Sequence, residues 1–383
     1  MKISKIIWVV IALTLFLSVG FSQSFRFAVF GDNRPFNNQD AQPRVFKEIV
    51  QEIEWIHPAF VVGVGDFVYG YGANAQRTKE EYEEFLNVIK AFTIPFYPVV
   101  GNHEVAGVGG QRDYIELLKK PLYYSFDYSN NHFVILDTNV NFPNGSFTQQ
   151  QFEWLKSDLA HATSAQNVFF FMHKPLVEKG NKTAWRDKKM AKDVKSFIEK
   201  FNSKYHNVRV IFQGHEHFFW QKRENGIDYV ITGGSGAPLD GDPASGGYYH
   251  FLLVNVDGTN VKVNVLLPDY FKVKYEYSSN VATAIIENRL ASVYNGLEID
   301  GLKFVMPKAP SYKVKGDIPC KIWKITPIDN EKSLVWVKAN LEFPHTNVET
   351  LFKAALSMFT NKKAKNTFRS TDYYIRVRAI FEK

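Results

Sequence analysis

Apolar runs of strand length recur along the first 268 residues, and several of them end in a glycine followed by a polar residue. The run Phe25–Phe30 leads into Gly31-Asp32, and the run Phe60–Val64 leads into Gly65-Asp66. Segments with helical spacing of apolar residues, such as Val45–Ile56, separate these runs. The pattern predicts a series of β-α-β units, a class of fold that binds ligands beyond the carboxyl ends of its strands.

Five segments at the predicted strand ends carry residue types that ligate metals. They are Gly31-Asp32-Asn33-Arg34, Gly65-Asp66-Phe67-Val68-Tyr69, Gly101-Asn102-His103-Glu104, Phe171-Met172-His173-Lys174-Pro175 and Gly214-His215-Glu216-His217. A single aspartate at a strand end is usually a turn or capping residue. Several acids and histidines at one sheet edge are different, because packing them together is unfavourable unless a cation balances the charge. The five segments therefore predict a metal site.

The donor atoms in these segments narrow the choice of metal. Carboxylate, amide oxygen and imidazole together suit Mn, Fe, Zn or a similar borderline ion, and no thiolate is present among them. Two ions held about 3.5–4 Å apart need one ligand that bridges them, and a carboxylate does this well. The sequence thus favours two such ions, divalent or of mixed valence, as cofactors.

In order and spacing, the five segments resemble those of the calcineurin-like metallophosphoesterases. The family pattern is Asp-x-His, Gly-Asp, Gly-Asn-His-Asp/Glu, a His in the fourth segment, and Gly-His-x-His. The resemblance covers roughly residues 26 to 268. It implies an α/β fold, a four-layer α/β/β/α sandwich with a dinuclear metal centre. The resemblance does not reach the C-terminal part, where alternating segments such as Lys321–Ile325 and Leu334–Ala339 predict a smaller, mainly β domain.

The resemblance also assigns roles to single residues. Asp66 would bridge two metal ions. The first ion would be held by Asp32 and His217, and the second by Asn102, His173 and His215. The implied reaction is attack of a metal-bound hydroxide on phosphorus.

The third segment would supply the catalytic groups that do not bind metal. His103 corresponds to the family's catalytic histidine and would donate a proton to the leaving oxygen or stabilise charge there. Glu104 would orient this imidazole, as carboxylates commonly do.

One position departs from the family pattern, because Arg34 stands where the family has a histidine. Arginine stays protonated and cannot ligate a cation. Either Tyr69, three residues after Asp66 like the tyrosine ligand of purple acid phosphatases, completes the first metal site, or Arg34 clamps a phosphate oxygen. Both can hold together, and the alternative for Tyr69 is an aromatic ring packed beside the site.

Three further tyrosines lie near the predicted strand ends: Tyr71, Tyr248 and Tyr249. Each either stacks on the leaving group of a substrate or takes part in ordinary packing. The sequence favours ordinary packing.

Length and charge divide the chain into two parts. At about 150 residues per domain, 383 residues suggest two domains, and Pro268 plausibly ends the first. We predict a catalytic domain over 23–268 and an accessory domain over 269–383, mainly β with one helix near Val348–Phe359. The whole net charge of +7 lies in the second part, which favours a solvated surface or, less strongly, an anionic partner. A single cysteine excludes a disulfide-stabilised scaffold.

The N-terminus has the pattern of a signal peptide. Lys2 and Lys5 precede an apolar stretch over Ile6–Val19, and Gly20 and Ser22 are small residues at plausible −3 and −1 positions. We therefore expect a signal peptide over 1–22, cleavage before Gln23, and a secreted or periplasmic protein. The alternative is an uncleaved anchor that holds the folded part to the outer side of a membrane.

The sequence thus predicts an exported, metal-dependent phosphoesterase that hydrolyses phosphate mono- or diesters. Its expected partner is a small phosphorylated substrate. Nucleic acid is expected only as a nucleotide substrate, and a membrane only if the N-terminal segment is uncleaved. The alternative is a non-catalytic binding or surface protein that retains the fold, a reading that the changed first segment supports.

Overall fold

The computed structural model describes residues 24–140, 147–180, 182–268, 271–278, 281–288, 297–341 and 373–382. The predicted signal peptide lies outside these residues, and so does the helix predicted near Val348–Phe359. Within the described ranges, no helix is both long and apolar enough to cross a bilayer.

Two mixed sheets form the centre of the first 268 residues. The first sheet consists of β1 (Phe25–Phe30), β2 (Val61–Gly63), β3 (Phe96–Pro98), β10 (Phe251–Asp257) and β11 (Asn260–Leu266). Its strand order is β11-β10-β1-β2-β3, with β1, β2 and β3 parallel and the β10-β11 hairpin antiparallel to them. The predicted β-α-β series is therefore present, and the sheet ends in an antiparallel hairpin.

The second sheet has six strands in the order β4-β5-β6-β7-β9-β8. Its strands are β4 (Tyr124–Tyr128), β5 (Asn131–Leu136), β6 (Asn167–Met172), β7 (Val208–Gln213), β8 (Phe219–Glu224) and β9 (Ile227–Thr232). The strands β5, β6, β7 and β9 are parallel, and β4 and β8 run antiparallel at the two edges.

The two sheets pack face to face because both faces of their central strands are apolar. In β6, Phe169 and Phe171 point into the core between the sheets, whereas Phe170 and Met172 point toward the helices. Side chains alternate between the faces of a strand, so burial on both sides requires an uninterrupted apolar run. Phe27 of β1 stands at the middle of the inter-sheet core, with its ring centroid 5.2 Å from that of Phe60.

Helices cover the outer faces of both sheets. The first sheet is covered by α1 (Arg44–Ile56) and α2 (Ala75–Ile89), and the second by α5 (Gln149–His161) and α6 (Lys188–Tyr205). The last two begin at side-chain caps, where Thr148 accepts from the amide of Gln151 and Asp187 from that of Met190. The chain is therefore a four-layer α/β/β/α sandwich, as the sequence predicted.

The C-terminal part is mainly β, which confirms that prediction. One sheet has the order β12-β13-β18-β15 and the other β14-β17-β16. The strands are β12 (Phe271–Tyr277), β13 (Val281–Asn288), β14 (Leu297–Pro307), β15 (Ser311–Gly316), β16 (Cys320–Pro327), β17 (Lys332–Leu341) and β18 (Tyr373–Glu382). Both sheets share one apolar cluster with α1, so this part packs on the sandwich. The domain boundary at Pro268 stays a prediction.

Two α-helices and one strand of the sandwich were not predicted: α3 (Asn102–Ala106), α4 (Gly110–Leu118) and β8. The helix α3 has five residues, too few to show helical periodicity in the sequence. Its first turn is held instead by the carboxylate of Glu104, which accepts from the amide of Gly101. A local capping contact between Gly101 and Glu104, rather than a hydrophobic repeat, therefore marks the start of this helix.

Candidate metal centre

Three of the candidate metal ligands have backbone conformations that non-glycine residues rarely adopt. The φ angles of Asp32, Asp66 and His215 are 57°, 58° and 74°. Such left-handed residues cost free energy and cluster at functional sites, where surrounding bonds hold them. Here the amide of Asp32 donates to the carbonyl of Gly65 at 3.0 Å, which ties the first two loops together.

Further backbone hydrogen bonds connect the loops through the carboxylates. The amide of His215 lies 3.0 Å from both oxygens of Asp32, and the amide of His103 donates to Oδ1 of Asp66 at 3.0 Å. Each buried aspartate thus fixes the position of a neighbouring strand end. Four separate chain segments converge in this way on one edge of the sandwich.

Two overlapping groups of side chains present metal-ligating atoms within 4.8 Å of one another. The first group is Asp32, Asp66 and His217, and the second is Asp66, His173 and His215. Asp66 belongs to both, which is the arrangement that a bridging carboxylate requires.

The predicted amide ligand lies beside the second group. Oδ1 of Asn102 is 2.9 Å from Nε2 of His173 and 2.8 Å from Nδ1 of His215. The amide oxygen and the two imidazole nitrogens therefore point at a common position. The structure thus brings together all six ligands that the family resemblance assigned to the two ions.

Two of the histidines are oriented by backbone carbonyls. Nδ1 of His173 donates to the carbonyl of Val64 at 2.9 Å, and Nδ1 of His217 donates to that of Pro238 at 2.7 Å. The proton on Nδ1 leaves the Nε2 lone pair directed at the cluster, as in histidines that ligate metals. Burial also lowers the pKa of His173, His217 and His215, the last to about 3, so all three imidazoles are neutral ligands near neutral pH.

The two aspartates differ in their electrostatic surroundings. Burial and the nearby charge of Asp66 raise the pKa of Asp32 well above its usual value. Burial also raises the pKa of Asp66, but His173 and His103 outweigh it and leave that pKa below its usual value. Two fully buried carboxylates beside neutral imidazoles form a ligand set that carries no positive charge. Two carboxylates, one amide and three imidazoles fit a pair of borderline cations such as Fe, Mn or Zn.

His103 lies beside this cluster and is held by the backbone. Its Nδ1 contacts the carbonyl of Tyr69, and its Nε2 is 3.7 Å from Oδ2 of Asp66. The side chain is buried, and burial lowers its pKa to about 4. The structure thus places the predicted catalytic imidazole next to the predicted bridging carboxylate.

The role predicted for Glu104 is wrong. We expected its carboxylate to orient His103, but that imidazole is oriented by the carbonyl of Tyr69. Glu104 instead accepts hydrogen bonds from a set of backbone amides, those of Asp66, Phe67, Val68 and Gly101. Burial, with the charge of Asp66, raises its pKa to about 8. A carboxylate at the start of α3 satisfies amides that are otherwise buried without a partner, so Glu104 supports the Asp66 loop.

Arg34 and Tyr69 lie against each other at the first-metal side. The guanidinium carbon of Arg34 is 5.6 Å from the ring centroid of Tyr69, and Nη1 donates to the carbonyl of Pro35 at 3.1 Å. Nε of Arg34 is buried without a hydrogen-bond partner among the described residues. A buried N–H donor without a partner is suited to binding an anion. Arg34 as a phosphate clamp and Tyr69 as a metal ligand both stay predictions.

Sequence reasoning passed over Lys174, which follows His173 directly. The residue is 8% exposed, and its charge interacts with Asp66, His173 and His215. Burial lowers its pKa. The signal was available, since the fourth segment contains this lysine, but an ammonium cannot ligate a cation. Its positive charge acts on the histidines of the second ligand group, whereas the charge of Arg34 acts on His217 of the first.

Comparison with known proteins identifies relatives of this site. The family model described as calcineurin-like phosphoesterase matches residues 25–219. Over 255 residues the chain is 26% identical to tartrate-resistant acid phosphatase type 5 of Homo sapiens, covering 57% of this chain and 74% of that protein. A probable cyclic nucleotide phosphodiesterase of Psychrobacter arcticus is 25% identical over 161 residues, 39% of this chain and 56% of that protein.

A solved structure gives a more distant similarity. Purple acid phosphatase from seeds of yellow lupin (Lupinus luteus) has 17% sequence identity and a TM-score of 0.47. The match covers 70% of this chain and 52% of that one.

Proposed function

We propose that this chain, which belongs to the calcineurin-like phosphoesterase family, hydrolyses small phosphate mono- or diesters at one edge of the sandwich. We call it the metal-ligating edge, and it carries Asp32, Asp66, Asn102, His173, His215 and His217. It is a phosphoric ester hydrolase, the enzyme class of its relatives. The observation that carries the proposal is Asp66, whose carboxylate is shared by two groups of ligands.

The ligand set would hold two metal ions, with Asp66 between them. Asp32 and His217 would complete the first site, with Tyr69 as a further ligand, and Asn102, His173 and His215 would complete the second. When bound, such ions act as Lewis acids toward a phosphoryl group. Fe, Mn and Zn each suit this set of ligands.

Two side chains of the site act on the substrate itself. Arg34, whose Nε is buried without a hydrogen-bond partner among the described residues, would bind an equatorial phosphoryl oxygen and stabilise the charge that develops there. His103, with Nδ1 fixed by the Tyr69 carbonyl, has Nε2 available for the leaving oxygen. Because both groups are held before substrate binds, little reorganisation is needed during the reaction.

The test uses the full chain, purified without chelator, and measures metal content and hydrolysis of p-nitrophenyl phosphate and its bis-ester. We expect close to two metal ions per chain and turnover of one or both esters. Hydrolysis of neither ester after addition of Mn, Fe or Zn would overturn the proposal and favour a non-catalytic protein that retains the fold.

A tyrosine ligand gives a test of metal identity. If Tyr69 ligates ferric iron, the protein has a visible charge-transfer band that Tyr69→Phe removes, as the purple acid phosphatase resemblance implies. A colourless, active protein with two metal ions would instead make Tyr69 a packing residue beside the site.

We also propose export, based on the charged and then apolar N-terminal sequence. Expression of the full chain, followed by fractionation and N-terminal sequencing, should give a secreted or periplasmic protein that begins at Gln23. A membrane-bound chain that retains Met1 would support the uncleaved anchor instead.

A further inference from the structure

Tyr71 is carried over the metal-ligating edge by a turn that depends on two glycines. Gly70 and Gly72 have φ angles of 71° and 68°, which L-residues with side chains rarely adopt. A side chain at Gly70 would also overlap the carbonyl oxygen of His103. The turn therefore packs directly on α3 and fixes where the tyrosine between the glycines lies.

The ring of Tyr71 contacts two residues of the site. It meets the His103 imidazole edge to face, with ring centroids 4.7 Å apart and an interplanar angle of 79°. Its hydroxyl oxygen is 3.4 Å from Nδ2 of Asn102. Tyr71 thus bridges a predicted metal ligand and the imidazole assigned to the leaving oxygen.

Tyr71 differs from both of these neighbours in exposure. The tyrosine is 39% exposed, whereas His103 and Asn102 are 8% and 7% exposed. Tyr71 therefore presents accessible surface directly beside a buried imidazole. A ring held in this way can stack on another ring with little further loss of conformational entropy.

We propose that Tyr71 is a specificity-determining residue that contacts the leaving group of the substrate and favours phosphate esters of aromatic alcohols. The inference rests on the proposed function, because His103 marks the side of the site from which the leaving oxygen departs. Any group attached to that oxygen extends past His103, where the exposed ring of Tyr71 lies. Sequence alone favoured ordinary packing for this residue, and the structure shows both a packing contact with His103 and a side chain that stays partly exposed.

The experiment compares phenyl phosphate with cyclohexyl phosphate, whose leaving groups have the same number of carbons but differ in planarity. Tyr71→Leu removes the ring and keeps an apolar side chain, and Tyr71→Phe keeps the ring. The matched control is Tyr249→Leu, since Tyr249 is 37% exposed and has no ring contact with the site among the described residues. Each variant is compared with the unmodified protein on the same ester, which cancels the difference between the leaving groups.

We expect Tyr71→Leu to lower kcat/KM for phenyl phosphate roughly tenfold, in line with measured stacking contributions. The value for cyclohexyl phosphate should change by less than about threefold, and Tyr249→Leu should lower neither value by more than that. Tyr71→Phe, which keeps the ring, should keep the ratio of the two values close to that of the unmodified protein. Equal losses on both esters would make Tyr71 a support for His103, and no loss on either would make it a surface residue. Both outcomes overturn the inference.

Binding of phosphonates separates failure of this inference from failure of the proposed function. Isothermal titration calorimetry of the metal-loaded protein with phenylphosphonate and methylphosphonate requires no turnover. Tyr71→Leu should weaken binding of phenylphosphonate selectively, even if the protein hydrolyses no ester. Equal weakening of both phosphonates, or binding of neither, would overturn the inference, and metal content measured on each variant shows that the metal site is intact.

Discussion

Acidic side chains are buried in two regions of the molecule, and the regions differ in whether a lysine or arginine pairs with them. At the metal-ligating edge, Asp32 and Asp66 are both buried, and the imidazoles around them are neutral. At the interface between α1 and the C-terminal sheets, Glu54 is also buried, but it pairs with Lys303 and accepts from the amide and hydroxyl of Thr93.

The backbone shows the same contrast. Three ligand positions at the edge have left-handed φ angles, whereas no non-glycine residue described between 259 and 341 does. At the interface, Arg26 pairs with Asp300 at 3.3 Å and also donates to the carbonyls of Ile56 and Glu298. Strain and unbalanced charge are thus concentrated where a cation would compensate them, and the other region is optimised for stability alone.

The largest expected effect is loss of activity at the edge. Asp66→Asn removes the carboxylate that both ligand groups share, so kcat/KM should fall at least about a thousandfold, or roughly 4 kcal/mol of transition-state stabilisation. Metal content should fall with it. Glu54→Gln is the control and should keep both, and an Asp66→Asn protein with full metal content and activity would contradict the assignment.

A buried charge at the interface should affect stability instead. Glu54→Gln leaves Lys303 without its partner and weakens two hydrogen bonds, so the free energy of unfolding should fall by about 1–3 kcal/mol. Urea denaturation measures this change. An unchanged midpoint would show that the interface contributes little to folding of the chain.

At the metal-ligating edge, substitution of a buried acid should raise the free energy of unfolding rather than lower it. In metal-free protein, Asp32→Asn removes a carboxyl group whose charged form is disfavoured by burial and by Asp66, so it should raise the free energy of unfolding by about 1 kcal/mol, while metal binding is weakened. Asp300→Asn, which removes the partner of Arg26, should lower it. Denaturation of both variants with chelator present measures the two changes in the free energy of unfolding. Two changes of the same sign would contradict the difference between the two regions.

A histidine away from the edge gives the smallest effect. His132 lies between Asp127 and Asp158, with nitrogen to oxygen distances of 2.7 and 2.9 Å, and these hydrogen bonds raise its pKa despite burial. A raised pKa means that its stabilisation is complete below pH 6.5, the usual histidine value, and is lost as pH rises through the folded pKa.

The measurement compares the free energy of unfolding of the unmodified protein with that of His132→Gln across this range of pH. The difference should be largest in acid and shrink as pH rises. His161→Gln, at an exposed helix end, should show no such trend. A His132→Gln difference that grows with pH would mean that the imidazole is neutral in the folded protein.

Much of the sandwich was predictable because its strands carry an obvious signal. A run such as Val168–Met172 is apolar at every position, which only burial on both faces explains, and the glycine and polar residues after such runs place the strand ends. The short helix α3 and the edge strand β8 were not predictable. The helix α3 is too short to show a helical repeat of apolar residues. The strand β8 shows little alternation of buried and exposed side chains, since all of them are intermediate or exposed.

The residue types at the strand ends, and their order along the chain, are local properties, and they determined which side chains form the metal-ligating edge. The roles of neighbouring side chains were decided by tertiary structure. Glu104 and Tyr71 each lie a few residues from a ligand, yet one turns inward to the amides of the Asp66 loop and the other outward over His103. The reason is physical: a hydrogen bond or a ring contact depends on which atoms two distant loops bring within reach, and the spacing along the chain does not contain that distance.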